Sequence, residues 1–290
     1  MSITKACKTF GYSKQAFYSA QKNQIKRQIQ DAEIEEYVLE KVREIRKRLK
    51  RCGGHKMYKM IKKDPDRKKY RIGIERFFDI LRKHNLLVKR RKRRIITTDS
   101  SDWRRQHPNL IKGIIPHRPE QIVVADITYF KTEEGAVYGH FITDAYSKKI
   151  MGFVVADNMK ATTTLRALKM AIRNRKYAEP MIHHSDRGSQ YISKLYTDYL
   201  SDNHIDISVT QDGNPGDNPI AERINGILKD EFGFNGVFKN LKEAIALMKP
   251  TVRDYNGYRP HMSCHDMTPN KFHLQRELPV ITWKREKKKE

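Results

Sequence analysis

Three acidic residues, Asp126, Asp186 and Glu222, stand in settings that suit metal-dependent chemistry on a phosphodiester. Asp126 lies inside the apolar run Ile122-Val123-Val124-Ala125-Asp126-Ile127-Thr128-Tyr129-Phe130, which reads as a buried strand. A carboxylate in such a run is expensive to bury unless something positive meets it. Asp186 ends a second short run, Met181-Ile182-His183-His184-Ser185, and is followed by Arg187, Gly188, Ser189 and Gln190. Glu222 falls in Asp217-Asn218-Pro219-Ile220-Ala221-Glu222-Arg223, where a loop turns into a helix. Three carboxylates brought together repel unless divalent cations bridge them. Oxygen-only ligation suits Mg²⁺ or Mn²⁺, whereas zinc sites usually show Cys or His. Two such ions about 4 Å apart activate the attacking oxygen and stabilise the leaving oxygen of an in-line displacement at phosphorus.

The helix that begins near Glu222 adds to this set. Asn225, Gly226 and Lys229 follow at three, four and seven residues and share its face, while Ile220 and Ile224 project to the other side. Lys229 and Asn225 are therefore candidates to hold DNA phosphate, with Arg187 beside the second aspartate as a third. An intrahelical salt-bridge pattern is the plainer alternative for Lys229. His183 and His184 could orient a water or touch phosphate, but one alternates inward and reads equally well as a satisfied core histidine. Asp144 is expected to serve a turn near Tyr146-Ser147-Lys148 rather than a metal. Tyr255, Asn256, Arg259 and His261 are expected to pack, or to contact DNA beyond the core.

The elements that must position these residues can be read from periodicity. Residues 122–130, 137–146 and 149–156 predict three successive strands. A helix at 161–176, a strand at 180–185, a helix near 192–203, a strand at 205–210 and a helix from 219 follow. That order implies an α/β fold, a mixed sheet covered by helices, with Asp126 on the first strand, Asp186 at the end of the fourth and Glu222 on the helix after the fifth. The first twenty residues read as a small helix-turn-helix-like piece, with Gly11 at the turn and Ser13 as a cap. Ile34, Val38, Val42, Ile45 and Leu49 then predict an amphipathic helix ended by Gly53-Gly54. Two further apolar stripes, about Met57 and about Phe77, complete a helical bundle. The expected domains are a basic helical DNA-binding region over 1–95, a linker over 96–118, a catalytic core over 119–276 and a basic tail over 277–290.

Charge is unevenly spread over the 290 residues. Residues 1–118 carry 34 Lys and Arg against 12 Asp and Glu, so +22 of the total +25 lies in the first two-fifths of the chain. Its densest point is Lys89-Arg90-Arg91-Lys92-Arg93-Arg94, six consecutive cations expected to meet a polyanion. Double-stranded DNA is the expected partner, and each phosphate contact would release counterions. No apolar stretch approaches a membrane span and no signal peptide is visible, which predicts no membrane and a cytoplasmic, nucleoid-associated location. Three widely spaced cysteines, Cys7, Cys52 and Cys264, fit a reducing compartment.

Several motifs together resemble the transposases of bacterial insertion sequences that carry a retroviral-integrase-like core. They resemble most the downstream-frame product of elements with two overlapping frames. The matching residues are Asp126-Ile127-Thr128-Tyr129, the stretch Thr143 to Gly152, His183-His184-Ser185-Asp186-Arg187-Gly188-Ser189-Gln190-Tyr191, Asp217 to Arg223 with Lys229, and Tyr255-Asn256 with Arg259-Pro260-His261. The likeness spans roughly residues 30 to 273. It implies a ribonuclease-H-like five-stranded sheet flanked by helices and preceded by the basic all-α region. It implies a catalytic triad of Asp126, Asp186 and Glu222 binding two Mg²⁺ or Mn²⁺ ions. It further implies cleavage and strand transfer at the element ends without a covalent protein–DNA intermediate, through a circular form that later inserts into target DNA. A homo-oligomer on DNA is expected, with fusion to an upstream-frame helix-turn-helix product as an open possibility. A tryptophan common in the family three residues before the first aspartate is Val123 here, a core position. Two other readings stand beside this one: a catalytically silent DNA-binding regulator, and a nuclease that only nicks.

Overall fold

The computed structural model describes residues 3–88, 107–211 and 218–282. The cationic run 89–94, residues 96–106 of the expected linker, Asp217 and the last eight residues of the expected tail lie outside them. The chain folds as two compact units, Met1–Arg48 with Cys52–Arg90, and Leu49–Arg51 with Arg91–Glu290.

The first unit is helical. α1 (Ile3–Thr9) leads through a turn at Gly11, φ 71°, into α2 (Lys14–Arg48), where the Ser13 hydroxyl accepts the Ala16 N–H. The small N-terminal piece and the amphipathic helix expected after it are thus joined. No glycine or proline interrupts residues 14 to 48, so nothing stops the second helix before the stripe that packs begins. Ile34, Tyr37, Val38, Val42 and Ile45 of α2 are buried, as are Met57 and Ile61 of α3 (Gly54–Lys62) and Phe77, Ile80 and Leu81 of α4 (Ile74–Lys83). These are the stripes read from the sequence, and burying them is what holds so short a bundle together.

The second unit is a mixed sheet. β1 (Ile122–Thr132), β2 (Gly135–Asp144) and β3 (Ile150–Ala156) form an antiparallel meander, and β4 (Met181–Ser185) and β5 (Ile205–Val209) join in parallel, giving the order β3-β2-β1-β4-β5. This is the ribonuclease-H-like arrangement. A sixth strand that the sequence did not announce, β6 (Val237–Phe238), pairs with the far end of β1. α5 (Ala161–Arg173) crosses from β3 to β4 and packs so tightly that a Cβ on Gly152 would lie 2.1 Å from the Ala167 carbonyl oxygen. α6 (Ser189–Ile192) and α7 (Lys194–Asp202) share the interval expected as one helix. Val123, Ile142, Leu168, Tyr196 and Leu200 belong to the core on that side. α8 (Pro219–Glu231) closes the other side through Ala221, which packs with Ile122 and Val124. α9 (Leu241–Gly257) and α10 (Pro269–Phe272) complete the unit.

Both ends of this unit extend further than the sequence implied. Within the stretch read as linker, Pro108 O accepts the Val209 N–H at 3.1 Å and the Leu110 N–H donates to Ser208 Oγ at 2.9 Å, so this segment satisfies the outer strand β5. Within the stretch read as tail, Leu278 and Val280 pack against Tyr146, Cys264 and Phe272, and the Tyr146 hydroxyl donates to Leu278 O at 2.6 Å.

Candidate functional site

Asp126 sits midway along β1, opposite Phe141 of β2. Parallel pairing of Val124 with His184 carries the end of β4, and with it Asp186, to the same side of the sheet. Asp126 is half-buried, whereas Asp186 and Glu222 are exposed. The Asp126 carboxylate accepts the Ile127 N–H at 2.9 Å and the Asn225 side-chain amide at 2.6 Å. Burial, then the neighbouring charge of Asp186, pushes this carboxyl up from an ordinary 3.8 to about 7, with Glu222 adding to the push. Burial also raises Asp186 and Glu222. Asp126 thus feels both other acids, although they are 60 and 96 residues away in sequence.

Each acid owes its position to local chemistry. Asp186 Oδ1 accepts the Gly188 N–H at 3.0 Å, and a Cβ on Gly188 would lie 3.0 Å from that same oxygen, so the turn closes around the carboxylate. Pro219 opens α8, and Glu222 falls in its first turn, where a carboxylate suits the positive end of the helix. Asn218 ties the start of α8 to β1 through a 3.0 Å bond to Ala125 O.

The residues expected to meet DNA are treated unequally. Asn225 is 7 % exposed and donates one amide hydrogen to Asp126, so it holds the carboxylate. Arg187 is half-buried and donates from Nε to Thr210 O at 2.9 Å, bracing the end of β4 against the residue after β5. Lys229 is half-buried with its ammonium 4.6 Å from the Tyr129 ring centre, a cation–π contact. Burial lowers its pKa while Asp126 opposes the shift. The six cations at 89–94 lie outside the described residues.

His183 and His184 are both buried, where alternation had allowed only one. Helices cover both faces of β4, so neither side of the strand is open to solvent. His183 Nε2 pairs with the Tyr196 hydroxyl at 2.9 Å, and burial pushes its pKa down to about 3, which keeps it neutral. His184 Nδ1 pairs with Ser208 Oγ at 2.9 Å. Tyr255, Asn256, Arg259 and His261 pack. The Asn256 side chain bonds both N and O of Ile150 at 3.0 Å, and Arg259 grips Glu231 at 2.6 and 2.9 Å. Tyr191, legible only as part of a motif, lies buried within reach of the Asp126 and Asp186 charges.

The oxygens able to hold a hard cation here are those of Asp126, Asp186 and Glu222. The donor chemistry fits: all are oxygens, and the strain on Asp126 is one that a cation would relieve. Among the described residues, however, no group of three His, Cys, Asp or Glu side chains is gathered closely enough to hold a metal as it stands. The three ligands read from the sequence are therefore neighbours in charge but not a formed cage.

The region that carries these residues is similar to known proteins. Two models described as "Integrase core domain" match residues 116–215 and 203–269. The chain is 32 % identical over 203 residues to an insertion element IS600 uncharacterized 31 kDa protein of Shigella sonnei, covering 69 % of this chain and 75 % of that one. It is 34 % identical over 175 residues to a putative transposase for insertion sequence element IS986/IS6110 of Mycobacterium tuberculosis, covering 57 % and 63 %. Among solved structures it is similar to the HTLV-2 integrase catalytic core domain in complex with magnesium, with 18 % identity, a TM-score of 0.43, and 54 % and 97 % covered. By its integrase core and its relatives, the chain belongs to the insertion-sequence transposases.

Proposed function

We propose that this chain is a DNA transposase in which Asp126, Asp186 and Glu222 carry metal-dependent cleavage and strand transfer at the ends of an insertion sequence. The observation that carries the reading is the raised pKa of Asp126, pushed to about 7 by burial and by the other two acids. A fold gains nothing in stability from leaving such repulsion in place, and sites that tolerate it are commonly sites of reaction. Two Mg²⁺ or Mn²⁺ ions bound there would supply a lowered pKa for the attacking water or hydroxyl and a counter-charge for the leaving oxygen.

The chain's own residues then have distinct tasks. Asn225 and the Ile127 N–H orient Asp126, and the Gly188 turn orients Asp186, so two of the three carboxylates are aimed before DNA arrives. Glu222, exposed on the first turn of α8, would come inward to share a cation with the other two. Lys229, braced on Tyr129, offers its ammonium to a DNA phosphate beside the acids. The helical region 1–95, with the cations 89–94, holds duplex DNA at the element ends, and a homo-oligomer brings two ends together. Fusion to an upstream-frame helix-turn-helix product would add a second DNA-reading module.

The test is a strand cleavage and joining assay on the element's own end DNA with Mg²⁺ or Mn²⁺, comparing wild type with Asp186→Asn. Joined or circular product from wild type alone is expected. Nicks without joining would make the chain a nuclease, and binding without cleavage by either protein would make it a regulator.

A further inference from the structure

The first half of α2 meets α1 at its start and Arg76 through Asp31, but leaves its side chains exposed. Every residue from 11 to 33 is exposed, although Lys14 to Glu33 are helical. Twenty residues make a rod of about 30 Å. An isolated helix of this length is marginal in water, because helices in proteins are stabilised mainly by packing an apolar face. Such a face is present. At 100° per residue, Tyr18, Ile25, Ile29 and Ala32 fall within about 60° of one another. They lie on the side of the helix opposite Ile34, Val38 and Ile45, the residues buried in the bundle. Tyr18 is 54 %, Ile25 52 % and Ile29 58 % exposed.

Charge says what covers this stripe. Lys14, Lys22, Lys26 and Arg27 come first with no acid among them, and Asp31, Glu33, Glu35 and Glu36 follow with no base. The helix thus carries a basic block followed by an acidic one, while its own last turn, Arg46 to Arg48, already suits the helix dipole. Asp31 already pairs with Arg76, and Glu35 with Lys83 and His84. Glu33 and Glu36 are exposed.

We propose that residues 14–36 of two copies of this chain pair antiparallel, about a two-fold axis near Arg27. Ile25 of each copy then packs on Ile29 of the other, Lys22 of each stands opposite Ala32 and beside Glu33 of the other, and the acidic stretch 31–36 of each lies along residues 18–23 of the other. A parallel pair in register would set the basic block against itself, and like charges at that spacing repel. A two-fold contact of this kind is self-complementary and closes at two copies. It does not depend on the catalytic assignment.

The experiment is light scattering on the full chain, without DNA, at tens of micromolar and moderate salt. Wild type is expected at twice the chain mass. Ile25→Glu with Ile29→Glu, and separately Lys22→Glu with Lys26→Glu, should run as monomers with dissociation constants raised at least tenfold. Adding Glu33→Lys and Glu36→Lys to the second pair should restore the dimer. These positions are exposed, so helicity by circular dichroism should show the fold intact. Direction is read by disulfide trapping: mixed Ile25→Cys and Ile29→Cys copies should cross-link, and the three native cysteines, all buried, should not compete. A monomeric wild type, a dimer that survives Ile25→Glu with Ile29→Glu, or cross-linking within either cysteine variant alone would overturn the proposal. So would a monomer in which the stripe substitutions weaken DNA binding instead.

Discussion

Asp144, on β2, accepts hydrogen bonds from the N–H groups of Glu120, Tyr146 and Ser147, from the Ser147 hydroxyl and from His273. On the adjacent strand, Asp126 accepts one backbone and one amide hydrogen and lies within reach of two more acids. The outcomes are opposite. Burial works against Asp144, yet the His273 and Ser147 hydrogen bonds hold it below its ordinary value, while Asp126 is driven up to about 7. Glu120, the second acid of the satisfied cluster, is answered by His273 at 3.1 Å and by the Lys176 and Tyr177 N–H groups. Thus one sheet carries an acid cluster completed by its own donors and another left incomplete. A completed cluster holds the fold together. An incomplete one is a place for something that arrives later.

Exchanging the two clusters' fates gives the largest expected effect. Asp126→Asn should lower metal-dependent joining by at least about 10³-fold while leaving the melting temperature unchanged or higher at pH 8. His273→Ala should do the reverse. Removing the imidazole leaves Asp144 and Glu120 facing each other uncompensated, a loss of about 3–5 kcal/mol, with activity per folded molecule retained. Denaturant titration and a single-turnover assay on both variants check the pair. An Asp126→Asn protein that is as destabilised as His273→Ala would erase the distinction.

A pH series sharpens it. Asp126 has a folded pKa near 7 against 3.8, so between those values the folded chain binds more protons than the unfolded one. Its contribution is therefore fully present below about pH 4 and lost as pH rises through 7, at a slope of up to about 1.4 kcal/mol per unit. His273 acts in the same direction. Burial alone would lower it, but the Asp144 and Glu120 hydrogen bonds raise it above 6.5, so its contribution also fades as pH rises through the folded value. The variants separate them. In Asp126→Asn the loss of stability between pH 5 and 8 should shrink, and Mg²⁺ should shrink it in wild type but not in the variant. A slope indifferent to both would place the repulsion elsewhere.

The smallest effect concerns the one donor that favours the charged form of Asp126 from across the site. Asn225→Ala should raise the Asp126 midpoint further, by about 0.5–1 unit, the worth of one hydrogen bond. Carboxyl NMR of the metal-free protein would read it, and an unmoved midpoint would return Asn225 to its first reading as a DNA contact.

Much of this protein was determined by its sequence alone. The apolar run in residues 122 to 130 and the stripes about Ile34, Met57 and Phe77 dictate their elements, because burial is the only way such segments lose their apolar surface to water. The uneven charge and the motifs around Asp126, Asp186 and Glu222 pointed to a family before any coordinate. Pairings across long separations were decided only by the tertiary structure. Asn225 meets Asp126 over 99 residues and His273 meets Glu120 over 153, and periodicity says nothing of which polar side chains meet. Both histidines of β4 are buried because helices cover both faces of that strand, a property of the assembly and not of the strand. The same holds for the stretches about Pro108 and Leu278, polar and proline-punctuated enough to read as linker and tail. A strand edge and an aromatic cluster elsewhere in the chain give them their hydrogen bonds and their place.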